Sequence, residues 1–191
     1  MLSRMASLVS LVFSPFLVLI AAILLVVHLT AETLQQAILW SLISIVFASV
    51  FPFIFILILV RLGKLSGMGI AIREQRIGPL LFSLGSALVG TFILHRLGAP
   101  KMLVWLGIAY AVNGVVFIAV TRVWKISFHT GVMAACVTAL TLLVNINLAW
   151  LFLLLPLVAW SRIYRKRHTL FQTLAGVFLA AIVTRLVLWQ F

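Results

Sequence analysis

Long apolar runs alternate with short polar breaks along the whole chain. Runs of about 20 apolar residues have the length that crosses a hydrocarbon layer of roughly 30 Å as a helix. They predict seven spans: residues 8–29, 37–60, 79–94 and 102–120, a fifth ending near 144, a sixth ending at 160 and a seventh at 169–188, with six as the alternative count. The alternating short strands of a membrane barrel are absent from the pattern. The expected fold is therefore all-α, a polytopic helical bundle forming a single integral membrane domain over residues 1–191. The first run exceeds the apolar region of a signal peptide, about 7–15 residues, and no A-x-A site follows it, so it is expected as a retained span. Pro52 predicts a kink in the second span, Pro79 the opening of the third, and Pro156 lies in the sixth, which is short for a full crossing.

Small residues recur at four-residue spacing late in the chain, as Gly131/Ala135, Gly176/Ala180 and Ala180/Thr184, the pattern that lets helices approach closely in lipid. Tryptophans 40, 105, 124, 150, 160 and 189 fall near predicted span ends, as in an interfacial aromatic belt. Cys136 lies within a span as a small packing residue and excludes an intramolecular disulfide.

Composition agrees: 65% of the residues are hydrophobic and 8% charged. Charge narrows the partner. Fourteen Lys and Arg stand against two acids, Glu32 and Glu74, for a net charge of +12. The cations lie in short loops, with no aromatic-interleaved polar domain, so nucleic acid is not expected and anionic membrane lipid is. Seven spans place the N-terminus and the loops near 61–78, 121–128 and 161–168 on one side, which carries most of the basic residues, so that side is expected in the cytoplasm. A bacterial or archaeal cell membrane is the expected setting. The oligomeric state has no signature.

Three polar stretches can carry chemistry. The third reads SRIYRKRHTLFQTLAG from Ser161 to Gly176 and holds Ser161, Arg162 and His168 in the order Ser-Arg-x5-His. If residues 168–188 are helical, His168 and Gln172 share a face at i,i+4, and the Gln172 amide oxygen can take an imidazole proton and fix the tautomer. Arg162 can grip a phosphate with two prongs. The second stretch holds Lys125, Ser127 and His129, and the first, within residues 61–78, holds Arg73 and Arg76.

The third stretch resembles the SRxxxxxHxxxD signature of the type-2 phosphatidate phosphatase family, with Gln172 at the Asp position. Ser127 and His129 resemble that family's Pro-Ser-Gly-His signature in those two positions only, with Phe128 replacing Gly, no Pro before Ser127, and Lys125 two residues before Ser127. Arg76 resembles the Arg of its Lys-x6-Arg-Pro signature, with Arg73 as the alternative. The resemblance extends over about residues 73–185. It implies an integral membrane enzyme that hydrolyses a lipid phosphate or diphosphate. His168 is then the nucleophile, oriented by Gln172, and His129 the general acid. Arg162, Ser161, Ser127, Lys125 and Arg76 or Arg73 surround the phosphoryl oxygens. Two acids in the whole chain cannot form a carboxylate-bridged metal pair, so no metal and no cofactor are expected. The rival readings are a catalytically degenerate protein that binds anionic lipid or a partner protein, and a small transporter using Asn113 and Thr138.

Overall fold

A computed structural model describes residues 1–191. The fold is all-helical, as the hydropathy pattern predicts. Five helices are long and apolar enough to cross a membrane, and a bent pair near the N-terminus makes a sixth when counted as one span. The chain falls into two compact units: one comprises Met1–Ala22 with Lys125–Phe191, the other Ile23–Trp124.

The N-terminal run, expected as one span, is two helices, α1 (Leu2–Val12) and α2 (Pro15–Thr30), bent by 44°. The cause is Pro15. It supplies no backbone N–H to the preceding turn and disfavours helical geometry at Ser14, yet suits the first position of a new helix. The boundary between the units falls within α2.

In the Ile23–Trp124 unit, Leu34–Arg61 is one continuous span built of α3 (Leu34–Ile45), a π-helical turn (Val46–Val50) and α4 (Phe51–Arg61). The widened turn is what the predicted kink at Pro52 becomes. A proline inside a helix removes one hydrogen bond and crowds the carbonyl four residues back, and a π-turn makes the room. The Ser86 hydroxyl donates to the Phe47 carbonyl of that turn at 2.6 Å. Gly90 lies against Phe47 with no space for a Cβ. Trp40 is buried rather than part of a belt.

The helix α5 (Ile77–Arg96) begins two residues before Pro79 and is preceded by a 3₁₀ turn at Glu74–Arg76. Pro79 sits in its first turn, where no intrahelical N–H is needed. A short turn leads to α6 (Lys101–Val123), which packs along α5.

The other unit is built on α7 (Phe128–Leu143), which packs chiefly on α9 (Leu170–Val187). At 16 residues α7 is shorter than the fifth span expected and falls below the crossing length of the other helices. Ten of its residues are buried, Cys136 among them, so it is the unit's core helix. Gly176 makes the contact with α9 possible: a Cβ there would lie 2.7 Å from the Ser127 carbonyl oxygen and 2.9 Å from Thr130 Oγ1. This is the close approach that the Gly176/Ala180 spacing predicts.

The short sixth span is resolved by its geometry. Ile146–Leu154 is a nine-residue 3₁₀ helix, continued by α8 (Leu155–Tyr164). A 3₁₀ helix rises about 2.0 Å per residue against about 1.5 Å for an α-helix. Nine such residues cover about 18 Å and the ten of α8 about 15 Å, together near the ~30 Å of a bilayer core. All-α geometry over the same 19 residues falls just short of it. Finally, α1 packs on α8 through its buried small residues Ala6 and Ser10.

Candidate functional site

Ser161 and Arg162 lie in the last turn of α8, which continues past Trp160 to Tyr164. The helix then stops in a reversing cap. Lys166 N–H donates to the Ile163 carbonyl at 2.8 Å, and Arg167 N–H reaches back to the Arg162 carbonyl at 3.0 Å. Lys166 takes φ +53°, the left-handed position where helices usually place glycine. The reversal turns the chain so that His168 returns beside the end of the helix it has just left.

Such backbone costs a non-glycine residue about 1–2 kcal/mol and a β-branched one more. Lys166→Gly should therefore unfold at an equal or higher temperature than the parent, and Lys166→Val at a lower one, by about 1–2 kcal/mol of stability. Thermal unfolding in detergent reads both.

His168 is buried, two residues before α9 begins. Thr169 caps that helix, its hydroxyl accepting the Gln172 N–H at 3.3 Å, while Gln172 Oε1 accepts the Thr169 N–H at 3.2 Å. This reciprocal pair is a capping box. The same Oε1 lies 3.2 Å from His168 Nδ1. The Thr169 N–H requires an oxygen at that position, which fixes the amide orientation. An amide oxygen accepts only, so Nδ1 carries a proton, and in the neutral imidazole the lone pair is then on Nε2. The pairing expected from a shared helical face is thus made by the cap, because the helix starts at Leu170 rather than at His168.

His129 is the second residue of α7. The start of that helix is stitched to the first turn of α9. Ser127 N–H donates to the Gln172 carbonyl at 3.2 Å, and Thr130 Oγ1 to the Thr173 carbonyl at 3.0 Å. These bonds bring the stretch at 125–129 against the stretch at 168–173. Ser127 is fully buried, and its hydroxyl has no hydrogen-bond partner although it stands at the N-cap of α7.

Arg162 is buried, 5% exposed, and its Nη1 donates to Ser10 Oγ of α1. Ser10 Oγ also lies 3.4 Å from His129 Nε2. Arg162, His168 and Arg165 all lie near enough to His129 to act on it electrostatically. The unit that holds Arg162 and the two histidines contains no Asp or Glu, so its charged side chains are all basic. Hydrogen bonds can orient a buried guanidinium, but only an anion neutralises it.

The other expected residues have different surroundings. Ser161 is fully buried and its hydroxyl donates to the Val158 carbonyl at 2.8 Å within α8. Lys125 is half-buried at the head of the segment leading to α7. Arg73 and Arg76 belong to the Ile23–Trp124 unit. There Arg73 pairs with Glu74 at 2.8 Å and donates to the Val123 carbonyl at 2.6 Å, tying the 61–76 loop to the end of α6. Arg76 is buried and its Nε donates to the Ile70 carbonyl at 2.9 Å. Asn113 uses its amide inside α6, donating to the Ala109 carbonyl at 2.9 Å.

One member of the site, Ser10, belongs to no motif. Ser10 stands in an apolar run that looks like a plain anchor. Its signal is the Ala6/Ser10 pair, small residues at four-residue spacing in a Leu- and Val-rich helix, the spacing that marks close packing on α7 and α9 as well. Comparison with known protein families, with curated proteins and with solved structures finds no match to this chain.

Proposed function

We propose that the protein is a membrane-embedded phosphohydrolase acting on a lipid phosphate or diphosphate through a phosphohistidine. One observation carries the reading. Two histidines and a buried arginine converge in a unit without a single Asp or Glu, and one of the histidines is held through its Nδ1 by the Gln172 amide oxygen.

Phosphoryl transfer needs positive charge on the equatorial oxygens, an in-line nucleophile and a proton for the leaving group. Arg162 supplies the charge and Ser127 a buried hydroxyl donor. His168 Nε2 attacks phosphorus, the P–N bond forms and the bond to the leaving oxygen breaks. His129, which enters the cycle as the imidazolium formed by taking up one proton when the anionic substrate binds, protonates that oxygen, so the alcohol or phosphate departs neutralised by one proton and His129 is left neutral. A water molecule, deprotonated by His129, then attacks phosphorus, breaks the P–N bond and releases inorganic phosphate. Both histidines return to their starting states. A site at the end of membrane-crossing helices suits a substrate whose tail remains in lipid, and the basic excess on that side favours a cytoplasmic orientation. A bacterial or archaeal cell membrane is the proposed setting.

A second reading has its own support. Gln172 is the third residue of α9 and completes a capping box, a structural task that accounts for its presence without catalysis. The same cationic cluster then binds an anionic lipid headgroup and leaves it intact.

Phosphate release by purified protein from a panel of lipid phosphates and diphosphates separates the two. Hydrolysis is expected, undiminished by EDTA. Binding of the same lipids without release of phosphate from any of them establishes the second reading instead.

A further inference from the structure

Ser10 makes two hydrogen-bonding contacts, one with Arg162 Nη1 and one with His129 Nε2. It is 3% exposed, so water does not complete its coordination. The chemistry of the three groups fixes the direction of the chain. A guanidinium donates and cannot accept, so Ser10 Oγ accepts from Arg162. The hydroxyl proton then needs an acceptor of its own. A serine in a helix can turn its proton to the carbonyl one turn back, but Ser10 makes no such bond, and His129 Nε2 is the acceptor in reach. Leaving that proton unmet in a buried position costs about 1–3 kcal/mol. Nε2 therefore carries the lone pair, and the proton of the neutral imidazole sits on Nδ1.

We infer that Ser10 is a positioning residue of the site, holding Arg162 and His129 in one relay and setting the Nδ1–H tautomer of His129. The two histidines are then tautomerically alike, each with its proton on Nδ1, but by different means. A glutamine oxygen from α9 draws the proton of His168 to Nδ1, while a serine hydroxyl from α1 occupies the Nε2 lone pair of His129. The N-terminal helix is accordingly part of the site and more than a membrane anchor. It couples the group that holds the phosphate to the group that moves the proton. As a statement about catalysis this rests on the phosphohydrolase reading; as a statement about His129 it does not.

The test uses the full chain, labelled with ¹⁵N-histidine and purified in detergent, in mildly alkaline buffer where an ordinary imidazole is neutral. His129→Gln identifies the His129 signals. In the parent, Nε2 of His129 is expected to show the shift of an unprotonated ring nitrogen and Nδ1 that of a protonated one. Ser10→Ala removes one oxygen and keeps a good helix former, and is expected to abolish that preference or reverse it. Ser10→Thr, which keeps the hydroxyl, is expected to preserve it, and so is Ser7→Ala, an exposed change on the same helix. Loss of the preference in Ser10→Ala alone supports the inference. An Nε2–H tautomer in the parent, or the same spectrum in Ser10→Ala as in the parent, overturns it.

Kinetics read the catalytic half. Ser10→Ala is expected to lower kcat by roughly 10-fold or more with KM nearly unchanged, the mark of lost orientation rather than lost binding. Unchanged kcat in Ser10→Ala, beside the expected tautomer shift, overturns the catalytic role and keeps the nitrogen assignment. If the parent hydrolyses no lipid phosphate, the phosphohydrolase reading fails, and the spectra still decide the relay.

Discussion

Replacing His168 by alanine is expected to lower phosphate release by at least about 10³-fold, with the protein still folded. The size follows from the role. Its neighbours are poorly placed to take over: Arg162 is a permanent cation, Ser161 spends its hydroxyl on a helix carbonyl, His129 Nε2 is in contact with Ser10, and Ser127 has only a neutral hydroxyl. The fold should survive, because the start of α9 does not depend on the imidazole. Thr169 and Gln172 close the capping box between themselves, and Ser127 and Thr130 bind backbone carbonyls of α9. Circular dichroism and thermal unfolding in detergent check that point. Hydrolysis at the parental rate by folded His168→Ala would remove the residue from the mechanism altogether.

Gly176→Val should cost the protein several kcal/mol, the largest stability effect expected of a single substitution away from the site. Even the first carbon of a side chain would stand 2.7 Å from the Ser127 carbonyl oxygen, where backbone cannot yield as a side-chain tip can. Overpacking typically costs about 1–3 kcal/mol, and here the helices must also separate. Separation of α7 from α9 breaks the Ser127–Gln172 and Thr130–Thr173 bonds that assemble the site. Gly176→Val is therefore expected to lose both melting temperature and hydrolysis, and Gly176→Ala a smaller share of each. Gly85→Ala is the matched control. It is exposed on α5 with open space around the added carbon, so it should be neutral or slightly stabilising. Equal melting temperatures for Gly176→Val and the parent would refute the close approach.

Much of this architecture is legible in the chain because lipid is a simple solvent. It demands helices, and hydropathy marks them. The breaks are harder. Pro15 divides the first run, and the effect of Pro52 is a widened turn rather than a bend at the proline itself. The 3₁₀ stretch at Ile146–Leu154 has no marker in hydropathy, since a segment too short for an α-helical crossing reads the same whether it frays, thins the bilayer or stretches.

Within the site, local contacts were readable and distant ones were not. His168 and Gln172 lie four residues apart, so any helical start in that region brings them together. The Ser10–Arg162 bond joins positions 152 residues apart, and nothing in either neighbourhood names the other. The contact of Arg73 with the end of α6 is equally distant. A loop motif records that cations are near one another in sequence, whereas the Val123 carbonyl that receives Arg73, 50 residues on, is set by the tertiary fold.

The most direct measurement is to trap the covalent intermediate. Purified protein is mixed with a lipid phosphate carrying ³²P in its phosphoryl group, quenched in alkali, where phosphohistidine survives, and the labelled peptide is sequenced by mass spectrometry. Label on His168, lost on mild acid treatment and absent from His168→Ala, is the predicted result. Turnover with no labelled protein, or label on another residue, would contradict the account.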